Sequence, residues 1–425
     1  MRILWFNGGL HPIACRAMGW SGGNTCGWLE SMLQGLLEVD SANEYCVMCL
    51  DRRHCDITIG RVRYVSFGGL AKTYYDKIPK EILKQCKQVI EEFNPDIIHV
   101  QGAEYFFGCM PPEIYCGKPV VVSLQGLIGG YHPHFTGGLS PKETWWTKFN
   151  LRLLKNRSTL LWDQTFWREK RAVQESRVIR QQQYFIGRTE WDRAWVDYYH
   201  PHATYFHVNE TLRDPFYVIR RNPDKIKRHT IYCGAAAGYA LKGAHWLIRA
   251  IAALKADYPD IQLRVAAAND KLGPSRSFRD RLRDDSYSMY LRWLIRSLGV
   301  ENEIVPLPSL SAEKVAQELA CAELFVLPSL CENSPNSLGE AMLVGTPCIA
   351  TYVGGTPSVL KDGIEGKLVP SCDPASLAAA IRHWFDSPEE AEKGVGTARA
   401  VALQRHDAKV NAHATLDVYR RICRR

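Results

Sequence analysis

Residues 324–369 read LFVLPSLCENSPNSLGEAMLVGTPCIATYVGGTPSVLKDGIEGKLV, and this stretch packs a buried strand, a polar loop, a helix start and a glycine turn into one unit. Leu324 to Leu327 is a short apolar run closed by Pro328. That is the pattern of a central strand in a parallel sheet, with its carboxyl end opening into the loop. Open α/β sheets bind ligands at that end. Ser334 followed by Pro335 suits an N-cap and first helical position, so the residues after them, Asn336 first, supply the free amides of a helix N-terminus. Such amides favour a phosphate. Glu332 stands just before the helix and Glu340 eight residues on. This separation is too long for a shared proton and suits hydrogen bonds to two hydroxyl-bearing parts of one ligand, such as a sugar and a ribose. The same spacing also fits solvated acids flanking an ordinary helix.

A second turn follows a second apolar strand, Cys348 to Ala350, where Gly354 and Gly355 allow close backbone approach or positive φ. Thr356 and Pro357 open the next helix by the same capping logic. Two adjacent strand ends then carry amide-rich turns, although surface turns use the same residues. Upstream, Thr230 to Cys233 reads as a strand, followed by a turn ending in Lys242 and Gly243 and a helix from about Ala244 to Ala256. Further strands are expected at Ile261 to Ala266 and Ile304 to Val305. Lys242 lies where the strand returns to a helix, placed to neutralise a diphosphate or to be solvated in its turn.

The first half has its own α/β rhythm, with strands expected at Arg2 to Phe6, Tyr45 to Leu50, Val62 to Val65, Ile97 to Val100 and Val120 to Leu124, and a helix over Pro79 to Phe93. That is a parallel doubly wound sheet. The loop after the first strand carries Gly19, Ser21, Gly22 and Gly23, and backbone amides around Gly22 and Gly23 can approach a phosphate. It lacks the order of a dinucleotide fingerprint. Gln125 follows the fifth strand and can donate and accept hydrogen bonds, but it is no proton acceptor near neutral pH. His132 and His134 follow as possible acid/base groups in a loop.

A chain of 425 residues that is 46% hydrophobic can bury two substantial cores. The expected division is a first domain over residues 1–228 with a basic aromatic helical insertion near 142–180, a second over 229–406, and a helix over 407–425 that crosses back to the first half. Two such halves naturally place a ligand in the crevice between them. Lys142 to Arg180 holds ten basic side chains against Glu143, Asp163, Glu169 and Glu175, with Trp145, Trp146, Phe149, Leu153 and Leu154 at helical spacings. This is either a membrane-surface element or an interdomain helix pair. Nucleic-acid binding is not expected, since neither a backbone-tracking stripe nor an aromatic platform is evident. No secretion signal is evident and no apolar run reaches spanning length, so a cytoplasmic protein with at most peripheral membrane contact is expected. The fourteen cysteines are scattered, which suits reduced thiols. Cys46 and Cys49 sit in an apolar run with no second ligand pair, so they read as core residues rather than a metal site.

The run ENSPNSLGEAMLVGTP at residues 332–347, followed by Gly354 and Gly355 and by Gly363 through Gly366, resembles the nucleotide-sugar half of a retaining GT-B glycosyltransferase. The likeness is to the family 4-like type (glycosyl transferases group 1), which includes sucrose synthases and bacterial surface-polysaccharide enzymes. The glycines at 22 and 23 and the Lys242-Gly243 turn agree with it. The resemblance implies two Rossmann-like doubly wound parallel-sheet domains facing across a cleft, the first (1–228) on the acceptor side and the second (229–406) binding the nucleotide-sugar. It implies that Glu340 holds the ribose, that Glu332 sits over the donor sugar, that the 354–356 turn contacts phosphate and that Lys242 steadies the departing diphosphate. It further implies transfer from a nucleotide-sugar, UDP-linked, to a glycan or lipid-linked glycan with retention, needing neither a cofactor nor a metal. Two departures stand out. Gly234 is followed by Ala235, Ala236 and Ala237 where the family often has a base, and Gln125 stands where it often has histidine. Gln125 can still orient the donor sugar. A nucleotide-sugar epimerase and an inactive sugar-nucleotide-binding regulator are the competing readings.

Overall fold

The computed structural model describes residues 1–20, 27–69, 77–145, 160–234, 237–266, 272–273 and 285–424. The chain divides into two units, one of Met1–Gly129, Arg168–Arg213 and Arg405–Arg425, the other of Gly130–Trp167 and Asp214–Gln404. The boundary expected at residues 228 and 229 falls at 213 and 214 in this division. The basic aromatic segment is shared, grouping with the second unit up to Trp167 and with the first from Arg168. Its residues 146–159 lie outside the described residues, as do Gly22, Gly23, Ala235 and Ala236.

The first unit is built on β1 (Arg2–Asn7), β2 (Glu44–Cys49), β3 (Cys55–Ile59), β4 (Val62–Ser66), β5 (Ile97–Gln101), β6 (Val120–Ser123), β7 (Tyr184–Gly187) and β8 (Thr204–His207). They form one sheet in the order β3-β4-β2-β1-β5-β6-β7-β8. Every pairing is parallel except β3 with β4. Strands of period two that are buried on both faces read as continuous apolar runs. Leu4, Phe6, Ile98, Val100 and Val122 join the helix Lys80–Phe93 in one core. Ile3, Trp5, Val47, Ile97 and Val121 join the helix Gly27–Val39 and the terminal helix Ala408–Cys423 in another. The terminal helix is pinned by a buried polar chain. Trp5 Nε1 donates to Tyr419 Oη at 3.1 Å, the Tyr419 hydroxyl lies 2.6 Å from His99 Nδ1, and His99 Nε2 lies 2.7 Å from Ser123 Oγ. Burial pushes His99 down to about 3, so the ring is neutral at pH 7 and carries its proton on Nε2, toward Ser123. Cys46 and Cys49 are three residues apart on one strand and so face opposite sides. Cys46 lies in the core with Leu4, whereas Cys49 packs with Leu10, Cys15 and Cys55. The two cannot converge on one ion.

The second unit carries β9 (Lys227–Cys233), β10 (Gln262–Val265), β11 (Ile304–Pro306), β12 (Ala322–Leu327), β13 (Cys348–Thr351) and β14 (Lys367–Val369). The order is β11-β10-β9-β12-β13-β14 and all pairings are parallel. The helix Ala244–Leu254 buries Leu247, Ile248, Ile251 and Leu254 against Leu291, Leu294, Leu377 and Ile381 of its neighbours. Residues 130–145 belong to this unit through Glu143, which accepts from Arg249 Nη2 at 2.5 Å and from the Tyr290 hydroxyl at 2.6 Å. The fully buried His245 bonds the Gly137 carbonyl through Nε2 at 2.9 Å and Tyr287 Oη through Nδ1 at 2.8 Å. Both sheets are therefore doubly wound, and β9, β12 and β13 lie side by side so that their carboxyl ends share one edge.

Candidate functional site

That edge gathers residues from three distant parts of the chain. After β9 the backbone makes one tight turn, Ala240–Lys242, and Gly243 takes φ 75°. A Cβ at Gly243 would sit 1.9 Å from the Pro328 carbonyl oxygen just past β12, so only glycine lets the two loops touch. The contact places Lys242 against the β12 loop. Its Nζ lies 2.6 Å from Glu332 Oε1, which also accepts from Ser329 Oγ at 2.7 Å. The Glu332 side chain is 7% exposed and that of Lys242 35%, so the carboxylate is enclosed while the ammonium keeps an open side.

The bend after β13 presses on the same residue. Gly354 has φ 48°, and a Cβ there would lie 2.1 Å from the Glu332 carbonyl oxygen. The Gly355 N–H donates to that carbonyl at 2.9 Å, and the Thr356 N–H donates to Val353. These two amides are thus engaged within the protein. The bend braces the backbone of Glu332 and offers the Thr356 hydroxyl, which is fully buried and has no hydrogen-bond partner among the described residues. Thr356 and Pro357 open a single turn, Thr356–Ser358, rather than a longer helix.

The helix beyond the β12 loop runs over Asn336–Val344, with Pro335 as its N-cap. The cap lies one residue later than the pairing of Ser334 and Pro335 suggests, because Pro335 keeps an extended ψ of 105° and only Asn336 turns helical. Pro335 offers no side-chain cap, and a helix N-terminus without one favours an outside acceptor. Asn336 Oδ1 is enclosed without a partner among the described residues. Gly234, at the end of β9, faces Ser337 in the first turn, a Cβ on it reaching Ser337 Cβ at 3.6 Å. Glu340 lies farther along the helix and is 8% exposed.

Lys242, Glu332, Gly354 and Gly355 therefore meet, with Ser334, Asn336 and Thr356 on the segments that leave this junction and Glu340 one turn into the helix. Gln125 is half-buried just past β6 in the first unit. Gly22 and Gly23 lie outside the described residues. The sequence reading missed Ser329, Thr351 and Tyr131. The Thr351 hydroxyl donates to the Ser329 carbonyl, and the Asn333 N–H donates to Tyr131 Oη at 3.0 Å. A polar residue directly after a strand could have flagged Ser329, but Tyr131 stands 202 residues from its partner and carries no local signal. Among the described residues no group of three or more His, Cys, Asp or Glu side chains could hold a metal ion.

Residues 227–387, the core of the second unit, match the family described as Glycosyl transferases group 1. Over 179 residues the chain is 32% identical to the D-inositol 3-phosphate glycosyltransferase of Streptomyces griseus, covering 42% of this chain and 36% of that protein. Over 193 residues it is 30% identical to the MMP alpha-(1->4)-mannosyltransferase of Mycolicibacterium hassiacum, covering 45% and 43%. The chain thus spans less than half the length of these curated relatives. Among solved structures it resembles sucrose-phosphate synthase of Thermosynechococcus elongatus, with TM-score 0.68, 15% identity and 99% of each chain covered. It also resembles Anabaena Alr3699/HepE in complex with UDP and glucose, with TM-score 0.65, 17% identity and 98% of each covered. The two sheets accordingly form a GT-B-type two-domain architecture, and the second unit carries a glycosyl transferases group 1 domain.

Proposed function

We propose that this chain is a retaining glycosyltransferase that moves a sugar from a UDP-linked donor to a hydroxyl of a glycan or lipid-linked glycan. The observation that carries the reading is the meeting of Lys242, Glu332 and the Gly354 bend at one edge of the matched domain. As the bond between the anomeric carbon and the diphosphate breaks, negative charge grows on the leaving oxygen. Lys242 and the first turn of the helix Asn336–Val344 stabilise that charge, which is strongest in the transition state. Glu332, braced by Gly355, faces the donor sugar, and Glu340 serves the ribose. The acceptor oxygen forms the new bond on the face the diphosphate leaves, and the acceptor proton passes to a departing phosphate oxygen. Gln125 orients the donor sugar. The UDP preference is supported by the likeness to HepE, whose structure holds UDP.

Mass-resolved screening of nucleotide-sugar donors against a panel of glycan acceptors tests the reading. Release of nucleoside diphosphate with formation of a glycoside is the expected result. An isomerised donor without a new glycoside indicates an epimerase, and tight donor binding without chemistry indicates a regulator.

Contact with the cytoplasmic face of a membrane is part of the proposal. Ten basic side chains over residues 142–180 support it, of which Arg168, Lys170, Arg177 and Arg180 are exposed. Among the described residues no helix is long and apolar enough to cross a membrane. Sedimentation with phosphatidylglycerol vesicles should fall as salt rises, and the absence of binding at low salt would remove this part.

A further inference from the structure

The chain leaves β6 and enters residues 130–145, which belong to the second unit although they stand between two strands of the first. This strap touches both loops of the candidate site. At its start the Asn333 N–H donates to Tyr131 Oη at 3.0 Å, and the Cys331 thiol donates to the Gly130 carbonyl at 3.7 Å. Residues 331 and 333 are the two neighbours of Glu332. The strap therefore holds the backbone on both flanks of Glu332, whose own carbonyl accepts from the Gly355 N–H.

Farther along, the strap presses on the turn that ends in Lys242. Gly137 has φ 72°, and a Cβ there would lie 2.7 Å from the Ala240 carbonyl oxygen and 2.8 Å from His245 Cε1. Only glycine permits that approach at that φ. The Gly137 carbonyl accepts from His245 Nε2 and from Trp246 Nε1, both at 2.9 Å. The helix Ala244–Leu254, which follows Lys242, thus grips the strap at the same point. The buried Phe135 ring lies 5.8 Å from that of Tyr239, the residue that opens the turn.

A segment that only covered apolar surface would do so with bulky side chains along its length. This one meets the Lys242 turn through glycine backbone and the Glu332 loop through a hydrogen bond to a peptide group. The ion pair between Lys242 and Glu332 fixes one distance between two side chains, and the flexible stem of a lysine leaves the backbones beneath it free to shift. The strap touches both backbones and so sets the spacing between them. We infer that residues 130–138 are a positioning strap, in which Tyr131 acts through Glu332 and Gly137 through Lys242. The reaction it serves rests on the sugar-transfer reading, whereas its hold on the two loops does not. Misplacing a group at a reacting centre by about 1 Å costs on the order of 100-fold in rate, so the strap bears directly on turnover.

Two variants of the full chain test it, read by amide exchange with mass spectrometry, by UDP titration and by turnover of the donor and acceptor found in the screen. Tyr131→Phe removes the hydroxyl and keeps the ring. Exchange over residues 329–334 should quicken about fivefold, the worth of a ~1 kcal/mol hydrogen bond, and kcat should fall about tenfold while UDP affinity holds. Gly137→Ala should quicken exchange over residues 238–243 and lower kcat about 100-fold. Exchange unchanged in both variants, or a lowered melting temperature with kcat unchanged in both, would overturn the inference. If Gly137→Ala does not fold, Tyr131→Phe decides. No glycoside from any donor with the wild-type chain would instead overturn the sugar-transfer reading, and the exchange rates would still show whether the strap holds both loops.

Discussion

Lys242 Nζ and Glu332 Oε1 lie 2.6 Å apart although ninety residues separate them in the chain. The pair joins the turn after β9 to the loop after β12, and it holds the ammonium in place before any ligand arrives. Under the proposed sugar transfer, an arriving diphosphate need not order a free lysine and can draw on a charge already positioned.

Lys242→Met should lower kcat about 100-fold or more, the scale for loss of one preorganised charge-stabilising donor, with circular dichroism unchanged. It also leaves the Glu332 carboxylate enclosed with Ser329 as its remaining side-chain donor. Urea unfolding should show a loss of ~1–3 kcal/mol, and adding Glu332→Gln should recover most of it. A double variant no more stable than Lys242→Met would mean that the two side chains are not coupled.

Gly354→Ala and Gly363→Ala separate the two costs of a Cβ at positive φ. Gly363 has φ 73° with nothing within 4 Å, whereas a Cβ on Gly354 would strike the Glu332 carbonyl. Gly363→Ala should cost only the left-handed term, about 1–2 kcal/mol, and retain activity. Gly354→Ala should cost clearly more and abolish donor turnover, since Glu332 must shift. Equal thermal shifts in the two variants would refute the bracing role.

Stability should fall on acidification below pH 6.5. Burial pushes His99 and His245 down to about 3. Above 6.5 neither the folded nor the unfolded chain protonates them, so they contribute no pH dependence. Between 6.5 and 3 the unfolded chain takes up protons that the folded chain refuses, costing up to ~1.4 kcal/mol per pH unit for each ring. Urea midpoints from pH 7 to pH 5 measure the slope, and His99→Gln should make it shallower. An unchanged slope would place the acid sensitivity elsewhere.

Tyr419→Phe should destabilise the first unit by ~1–3 kcal/mol, because Trp5 Nε1 and His99 Nδ1 both lose the phenol. UDP affinity should be unchanged, as the hydrogen bonds lost lie within the first unit. Calorimetry and UDP titration on one preparation give both values.

Much of the second unit could be read from local pattern. The strand at Leu324, the helix behind Asn336 and the strand at Cys348 each announce themselves by apolar runs closed with proline or glycine, and their observed bounds differ by a residue or two. β3, β7, β8 and β14 escaped the reading because each is five residues or fewer, too short for a period to stand out. The glycine pair was legible as a bend, but its partner was not. That the Gly355 amide goes to Glu332 depends on which strand lies beside β12, and periodicity says nothing about neighbours.

By itself, the sequence determined two α/β halves, the turn chemistry at each strand end, and the residue types able to meet a sugar nucleotide. Those properties are written in period, capping and backbone freedom, all of which act over a few residues. Only the tertiary structure decided that Lys242 reaches Glu332, that Gly354 presses on that carbonyl, and that Tyr419 closes on His99. Strand order and register are set by hydrogen bonds and packing between segments far apart in the chain, and no local pattern carries that information.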